Sequence, residues 1–360
     1  EWQYSTYWQV GTKMRSNVFI LYTGGTFGMK SNANQELEPS SWEEIIDYLP
    51  AIKNQTFFHY FSEINFTFQT LEPVIDSADI TPEAWERIAK KIEENYEQHD
   101  GFIVIHGTDT LAYTSSALSF IFENLNKPVV LTGAQLPIFH PRTDGIINLS
   151  NAIYIAGYKS FNLACIPEVC ICFNDDVLRG NRAVKTSTND FEGFSSPNYD
   201  NLANLEQHIS VNTHLVHKGN NKALVLRTKF SNRVVNVTLF PGYSTLPLLD
   251  LVKNNKLDGI VLKTFGAGNI PNSSHWDELL EACEQSKTIL FATTQCPNGQ
   301  IELGQYAASS ALLSPIVVDG KDITSESALT KLMWVIGNFG VEERSDILGQ
   351  NIRGEMSVNN

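Results

Sequence analysis

Val18-Phe-Ile-Leu-Tyr-Thr-Gly-Gly-Thr26 places a run of apolar β-formers directly before a glycine turn that ends in a hydroxyl. The same plan recurs at Phe102-Ile-Val-Ile-His-Gly-Thr-Asp-Thr110. In each, a short buried-strand signal precedes glycines that let the backbone turn sharply. Threonines follow, where a phosphate-binding loop would carry Gly-Lys-Ser/Thr. Functional groups in an open parallel sheet gather beyond the carboxyl ends of its strands, so both threonine turns are expected to face one pocket.

Outward from these two turns, strand-like runs at 18–22, 102–105, 128–132 and 168–173 alternate with helix-like ones, which argues for βα units. Ser41-Trp42-Glu43-Glu44 reads as a capping box, and Thr81-Pro82 opens a helix whose apolar face is Trp85, Ile88, Ala89, Ile92 and Tyr96. The stretch Ala112 to Leu125 is small and apolar on most sides, as a helix packed closely on a sheet would be. Further strand signals fall at Val234–Leu239, Gly259–Lys263 and Thr288–Ala292, with helix signals near 246–253, 274–285 and 325–338.

Two unequal α/β domains are therefore expected. The larger is N-terminal, on a parallel, flavodoxin- or Rossmann-like sheet at 17–200, and carries the threonine turns. A linker at 201–232 leads to a smaller C-terminal α/β domain at 233–356. Residues 1–16, with the aromatic stretch Glu1–Trp8, are read as an extension.

The 360 residues carry a formal net charge of −14, which disfavours tight binding to nucleic acid or to an anionic membrane, since either needs a basic face. Small-molecule partners are expected. Five scattered cysteines make no disulfide framework in a chain this long, so a reducing, cytoplasmic setting is expected. Cys165, Cys170 and Cys172 match no zinc spacing and sit in a strand signal, where they read as small buried residues. Gly266-Ala-Gly268 lacks the rest of a dinucleotide fingerprint, and no Gly-x-Ser-x-Gly elbow occurs.

A threonine hydroxyl is a poor nucleophile until a base takes its proton. Asp109 adjoins Thr108, and Lys185 lies in the polar segment Arg179-Gly-Asn-Arg-Ala-Val-Lys185, so Thr108, Asp109 and Lys185 can form a proton relay. Spacing alone equally allows Asp109 to cap a helix and Lys185 to be a solvated charge. Asp76-Ser77-Ala78 lie shortly before a helix start, suited to an amino group and a carboxylate. Thr132-Gly-Ala134-Gln135 is a further strand-to-turn junction that can read an amide, or holds Gly133 for its turn alone. His106 reads as a packed or capping residue.

Thr23-Gly-Gly-Thr26, Asp76-Ser77, His106-Gly-Thr-Asp-Thr-Leu-Ala-Tyr-Thr114, Thr132-Gly-Ala-Gln and Gly180-Asn-Arg-x-x-Lys185 occur in the order seen in bacterial-type L-asparaginases. The chain resembles the type I, cytoplasmic branch from about Val18 to Glu355. This resemblance implies hydrolysis of L-asparagine to L-aspartate and ammonia through an acyl-threonine intermediate, with no metal or organic cofactor. It implies Thr26 as nucleophile and Thr108, Asp109 and Lys185 as the proton-transfer group. Asp76, Ser77 and Ala78, joined by Thr108 and Asp109, would hold the substrate, with the Thr108 and Ala134 backbone near the scissile amide. It also implies a left-handed crossover in the first domain and a homodimer or homotetramer.

Two departures stand out. Some relatives place a tyrosine on the segment after the first threonine motif, whereas Met29–Pro39 contains none, which leaves Tyr22 or a water as candidates to activate Thr26. Some type I members bind a second asparagine through a threonine before the catalytic lysine, an arginine and a Thr-Gln-Cys segment. This chain keeps Thr294-Gln295-Cys296 but has Val184 and Lys263 at the other two positions. Valine cannot hydrogen-bond and lysine lacks the planar fork of arginine, so weakened or absent regulation is expected. The competing readings are a broader asparaginase/glutaminase, the ammonia-supplying subunit of an amidotransferase and, from another class, a non-catalytic amino-acid sensor.

Overall fold

The strand signal before the first threonine turn becomes Ser16–Tyr22, the second of eight strands in the larger sheet. In spatial order these are Ile64–Thr70, Ser16–Tyr22, Gly101–Ile105, Val129–Thr132, Val169–Phe173, Asp176–Arg179, Ala203–Leu205 and Ile209–Val211. The first five run parallel and the last three are added antiparallel. The computed structural model describes residues 15–32, 34, 36–48, 61, 63–304 and 312–358. Of the expected extension 1–16, all but Arg15 and Ser16 lies outside the described residues, and Ser16 already belongs to the sheet.

Numbered along the chain, the parallel strands stand in the order 2-1-3-4-5. The chain leaves Ser16–Tyr22 towards one edge, then returns to add Gly101–Ile105 on its other side. That reversal is the topological switch point at which an open α/β sheet forms its crevice. The two threonine turns leave the carboxyl ends of these two neighbouring strands.

The four parallel strands inside the edge are buried on both faces, so their residues divide by parity. Val18, Ile20, Tyr22, Ile103, Ile105, Val130, Cys170 and Cys172 face the Gly145–Ala156 helix. Phe19, Leu21, Phe102, Val104, Leu131 and Ile171 face the helices Pro82–Glu94 and Leu111–Ile121. Burial pushes the Cys170 and Cys172 thiols up, which keeps them protonated packing groups. The Ser41 capping box forms as read: the Glu44 N–H donates to Ser41 Oγ at 3.2 Å and the Ser41 N–H donates to Glu44 Oε2 at 3.0 Å.

The smaller sheet is all parallel, in the order Val234–Thr238, Gly259–Thr264, Ile289–Thr294 and Val317–Asp319. Its helix Ser325–Asn338 packs on Leu111–Ile121 of the larger unit, with Phe120 and Trp334 ring centroids 5.8 Å apart. Two elements are not among the expected ones: the edge strand Ile64–Thr70, whose Ile64, Phe66 and Phe68 alternate with polar residues, and the helix Gly145–Ala156, which lacks a polar stripe. Within 201–232, residues 203–205 and 209–211 extend the edge of the large sheet, and Val225–Leu226 pairs with Phe122–Glu123.

Candidate active site

Thr23 and Thr26 bracket two glycines with φ of +123° and +83°, values open to glycine at little cost. The Thr23 N–H and hydroxyl both donate to the Ile105 carbonyl, at 3.0 and 2.9 Å, which ties the first turn to the strand that ends in the second. Gly25 lies against the Gly107 backbone, and Gly107 in turn against the Ser77 side chain. A Cβ at either position would overlap its neighbour. The Ile75 N–H donates to Thr23 O, and the Thr110 hydroxyl donates to Ser77 O at 2.7 Å. These contacts gather three segments separated by tens of residues, carrying Thr26, Asp76–Ala78 and Thr108–Thr110.

The three side chains expected from sequence to act together, Thr108, Asp109 and Lys185, are in contact. Lys185 Nζ donates to Thr108 Oγ1 at 2.9 Å and to Asp109 Oδ1 at 2.7 Å. The lysine side chain is 17% exposed and that of Asp109 67%, so the carboxylate end is open to solvent and the amine end is enclosed. Lys185 sits on a two-residue strand paired with Phe194–Ser195, which fixes its backbone. Asp76 accepts the Ala78 N–H at 3.0 Å and is exposed, whereas Ser77 is buried. Ala134 is fully buried, just after Gly133, whose Cβ would strike the His106 carbonyl.

The hydroxyl of Thr26 accepts and donates no hydrogen bond among the described residues. Tyr22 packs beneath this turn, its buried hydroxyl unpartnered. Burial, helped by the charge of Glu44, pushes that phenol up, the wrong direction for a base meant to take the Thr26 proton.

Other residues organise the site in ways their sequence context did not announce. Gln135 Oε1 accepts from the Thr108 hydroxyl at 3.3 Å, while its Nε2 donates to the carbonyls of Ser187 and Asp190 at 3.3 and 3.0 Å. Its amide is thereby committed to bridging Thr108 and the loop after Lys185. Buried Asp144 accepts the N–H groups of Gln135 and Leu136. Arg182, three residues before Lys185, donates to Asp322 Oδ2 at 2.8 Å and to the Gly354 carbonyl at 2.6 Å. Burial alone would raise the Asp322 carboxyl, but the Ser357 N–H and hydroxyl together with Arg182 hold it below its ordinary value. Arg182 stands inside the Gly-Asn-Arg-x-x-Lys run, the one signal that marked it.

His106 anchors the second turn. Its Nδ1 lies 2.8 Å from the Gly107 carbonyl, which only accepts, so Nδ1 carries the proton and Nε2 accepts from the Thr114 hydroxyl at 3.0 Å. Thr114 in turn accepts from Trp85 Nε1 at 3.0 Å.

Lys263, Thr294, Gln295 and Cys296 are adjacent at the ends of two paired strands. Thr294 Oγ1 donates to Gly266 O at 2.6 Å, and Gln295 Nε2 donates to Leu239 O and Lys263 O at 2.7 and 3.0 Å. Those polar groups are spent on the local backbone.

A flavodoxin-like sheet with two hydroxyl turns at its switch point, one of them joined to an enclosed lysine, defines an α/β protein with its polar groups gathered beyond the carboxyl ends of its strands. Residues 17–217 match the family model described as asparaginase, N-terminal, and residues 233–345 match that of the glutaminase/asparaginase C-terminal domain. The chain is 36% identical to L-asparaginase 1 of Escherichia coli K12, across 95% of this chain and 98% of that protein. It is also 36% identical to the human 60 kDa lysophospholipase, across 97% of this chain but only 62% of that longer protein. The crystal structure of L-asparaginase I from Vibrio cholerae superposes with a TM-score of 0.83 at 35% identity, covering 96% of this chain and all of that one. The chain belongs to the asparaginase family, and its similarity runs to type I members.

Proposed function

We propose that this chain is an L-asparaginase that uses Thr26 as its nucleophile. Thr26 Oγ attacks the side-chain carboxamide carbon of L-asparagine. The C–N bond then breaks, and ammonia leaves with the hydroxyl proton, giving an acyl ester on Thr26. Water, deprotonated through Thr108 and Lys185 with Asp109 holding the amine, attacks that ester and releases L-aspartate. Asp76, Ser77, Ala78 and Asp109 hold the α-amino and α-carboxylate groups, and the backbone at Thr108 and Ala134 faces the developing oxyanion.

The observation that carries this reading is the 2.9 Å contact from Lys185 to Thr108 in a turn pressed against the one bearing Thr26. A non-catalytic sensor needs no such amine–hydroxyl pair. The decisive experiment is single turnover with asparagine followed by intact-mass analysis. Acylated Thr26 is expected in wild type and absent in Thr26→Ala; an adduct on Thr108 instead, or none with full activity, overturns the assignment. Ammonia release from asparagine and glutamine side by side measures the glutaminase ratio.

The functional unit in this reading is a cytoplasmic homodimer or homotetramer, divided at 17–200, 201–232 and 233–356. With Val184 and Lys263 in place of hydrogen-bonding and fork-shaped side chains, the response to asparagine is hyperbolic. A sigmoidal response that becomes hyperbolic in Cys296→Ser would contradict that.

A further inference from the structure

The helix Leu111–Ile121 starts at the catalytic turn and ends, about 16 Å away at 1.5 Å per residue, beside a second cavity of about 270 Å³. Glu123, Glu168, His217, Lys218 and Arg353 reach its wall. Both carboxylates there are committed. Glu168 takes Arg179 Nε at 2.6 Å and the His217 N–H at 2.9 Å, and Glu123 takes Arg227 Nε at 3.0 Å. Of the cations at the wall, Arg179 is spent on Glu168 and the Leu215 carbonyl, but the Arg353 guanidinium and Lys218 have no carboxylate partner among the described residues. The Arg353 guanidinium donates only to carbonyls, those of Phe122 at 3.2 Å and Ile352 at 3.0 Å, and Lys218 has no hydrogen bond or ion pair among the described residues.

Arg353 is half-buried, so its charge has lost part of its hydration without gaining a carboxylate within ion-pair distance. Glu355, the next acidic residue in the chain, is bound to Lys331 at 2.6 Å. The His217 ring is held neutral by burial, which outweighs the pull of Glu168, and it offers one further polar edge. We propose that this cavity is a binding site for a small dianion, a phosphate or a short dicarboxylate, gripped by the Arg353 guanidinium and the Lys218 ammonium. The guanidinium fork suits two anionic oxygens at once, the ammonium adds a point charge, and about 270 Å³ accommodates a small ligand of this kind. Arg353 also holds the Phe122 carbonyl just past the helix Leu111–Ile121, so an occupant touches the far end of the helix that follows the Thr108–Asp109 turn.

The test is isothermal titration of the full-length chain with sodium phosphate and, separately, sodium succinate, each against sodium chloride at matched ionic strength. A saturable site with Kd below about 1 mM is expected for at least one of them, and which one binds identifies the ligand class. Lys218→Gln is expected to weaken it by about 3- to 10-fold and Arg353→Gln by more than about tenfold, as charge-assisted contacts do. Lys218 is on the surface, so that variant stays informative if Arg353→Gln fails to fold. Heat no different from chloride, or an unchanged Kd in Lys218→Gln, overturns the proposal.

Discussion

Gly25 stands against the backbone of Gly107: a Cβ on Gly25 would overlap the Gly107 Cα, whereas one on Gly107 would overlap Ser77 Oγ. This contact seats the first threonine turn on the second. Gly25→Ala must push the two turns apart, so kcat/KM is expected to fall by about 10²-fold or more, since displacements near 1 Å cost that much. Overpacking adds about 1–3 kcal/mol of destabilisation. Steady-state kinetics beside urea denaturation checks both, and near-normal turnover would show that the turns need not touch.

Lys185→Met keeps the length of the side chain and removes its proton-carrying nitrogen. kcat is expected to drop by about 10²–10⁴-fold with KM far less affected, as for loss of a general acid–base group. Thr108→Val belongs to the same unit, so the double variant should be little worse than either single one. Additive losses would mean that the two residues act separately.

Arg182 acts at a distance. It bonds Asp322 and Gly354 while standing three residues before Lys185 on the same turn. Arg182→Lys preserves charge but not the multiple hydrogen bonds, and is expected to lower kcat by about tenfold or more through misplacement of Lys185. If the pH profile of kcat keeps its shape while its height falls, the role is positioning.

Burial holds the His106 imidazole down at about 4, against the ordinary 6.5, with the Gly107 carbonyl pulling weakly the other way. Between those two values the unfolded chain binds a proton that the native state refuses. Stability therefore rises with pH across that window and is fully present above about 6.5. The group accounts for about 3 kcal/mol lost on acidification from pH 6.5 to 4. Chemical denaturation across this range should show the slope, and His106→Gln should flatten it. An unchanged slope would assign acid sensitivity elsewhere.

Lys331 and Glu355 form an ion pair at 2.6 Å with neither side chain exposed, and Lys331 also donates to the carbonyls of Leu348 and Gln350. Removing one partner strands a buried charge, so Glu355→Gln is expected to cost about 3–5 kcal/mol, and Lys331→Met with Glu355→Leu to recover part of it. Urea midpoints of the single and double variants decide this.

Much of the site was legible because catalytic turns carry local marks. Glycines before Thr26 and Thr108 announce positive φ or close approach, and Asp109 and Lys185 carry charge where a sheet ends. The helix Gly145–Ala156 was not legible, because a helix buried on most sides lacks a polar stripe, whereas the edge strand Ile64–Thr70 carried a period-2 alternation of Ile64, Phe66 and Phe68 that marks it. Gln135 looked like a substrate reader. In the fold both ends of its amide are taken, by Thr108 and by the loop after Lys185.

The sequence by itself determined the alternation of strands and helices, the two threonine turns and the family, since these rest on local backbone preference and on the order of short motifs. Tertiary structure decided which turns meet, that Lys185 reaches Thr108, and that Arg182 ties this hairpin to the chain's C-terminal part. Those relations join residues 77 to 172 positions apart; the order of strands around the switch point brings the turns together, and the packing of the C-terminal part on the larger unit brings Gly354 to Arg182.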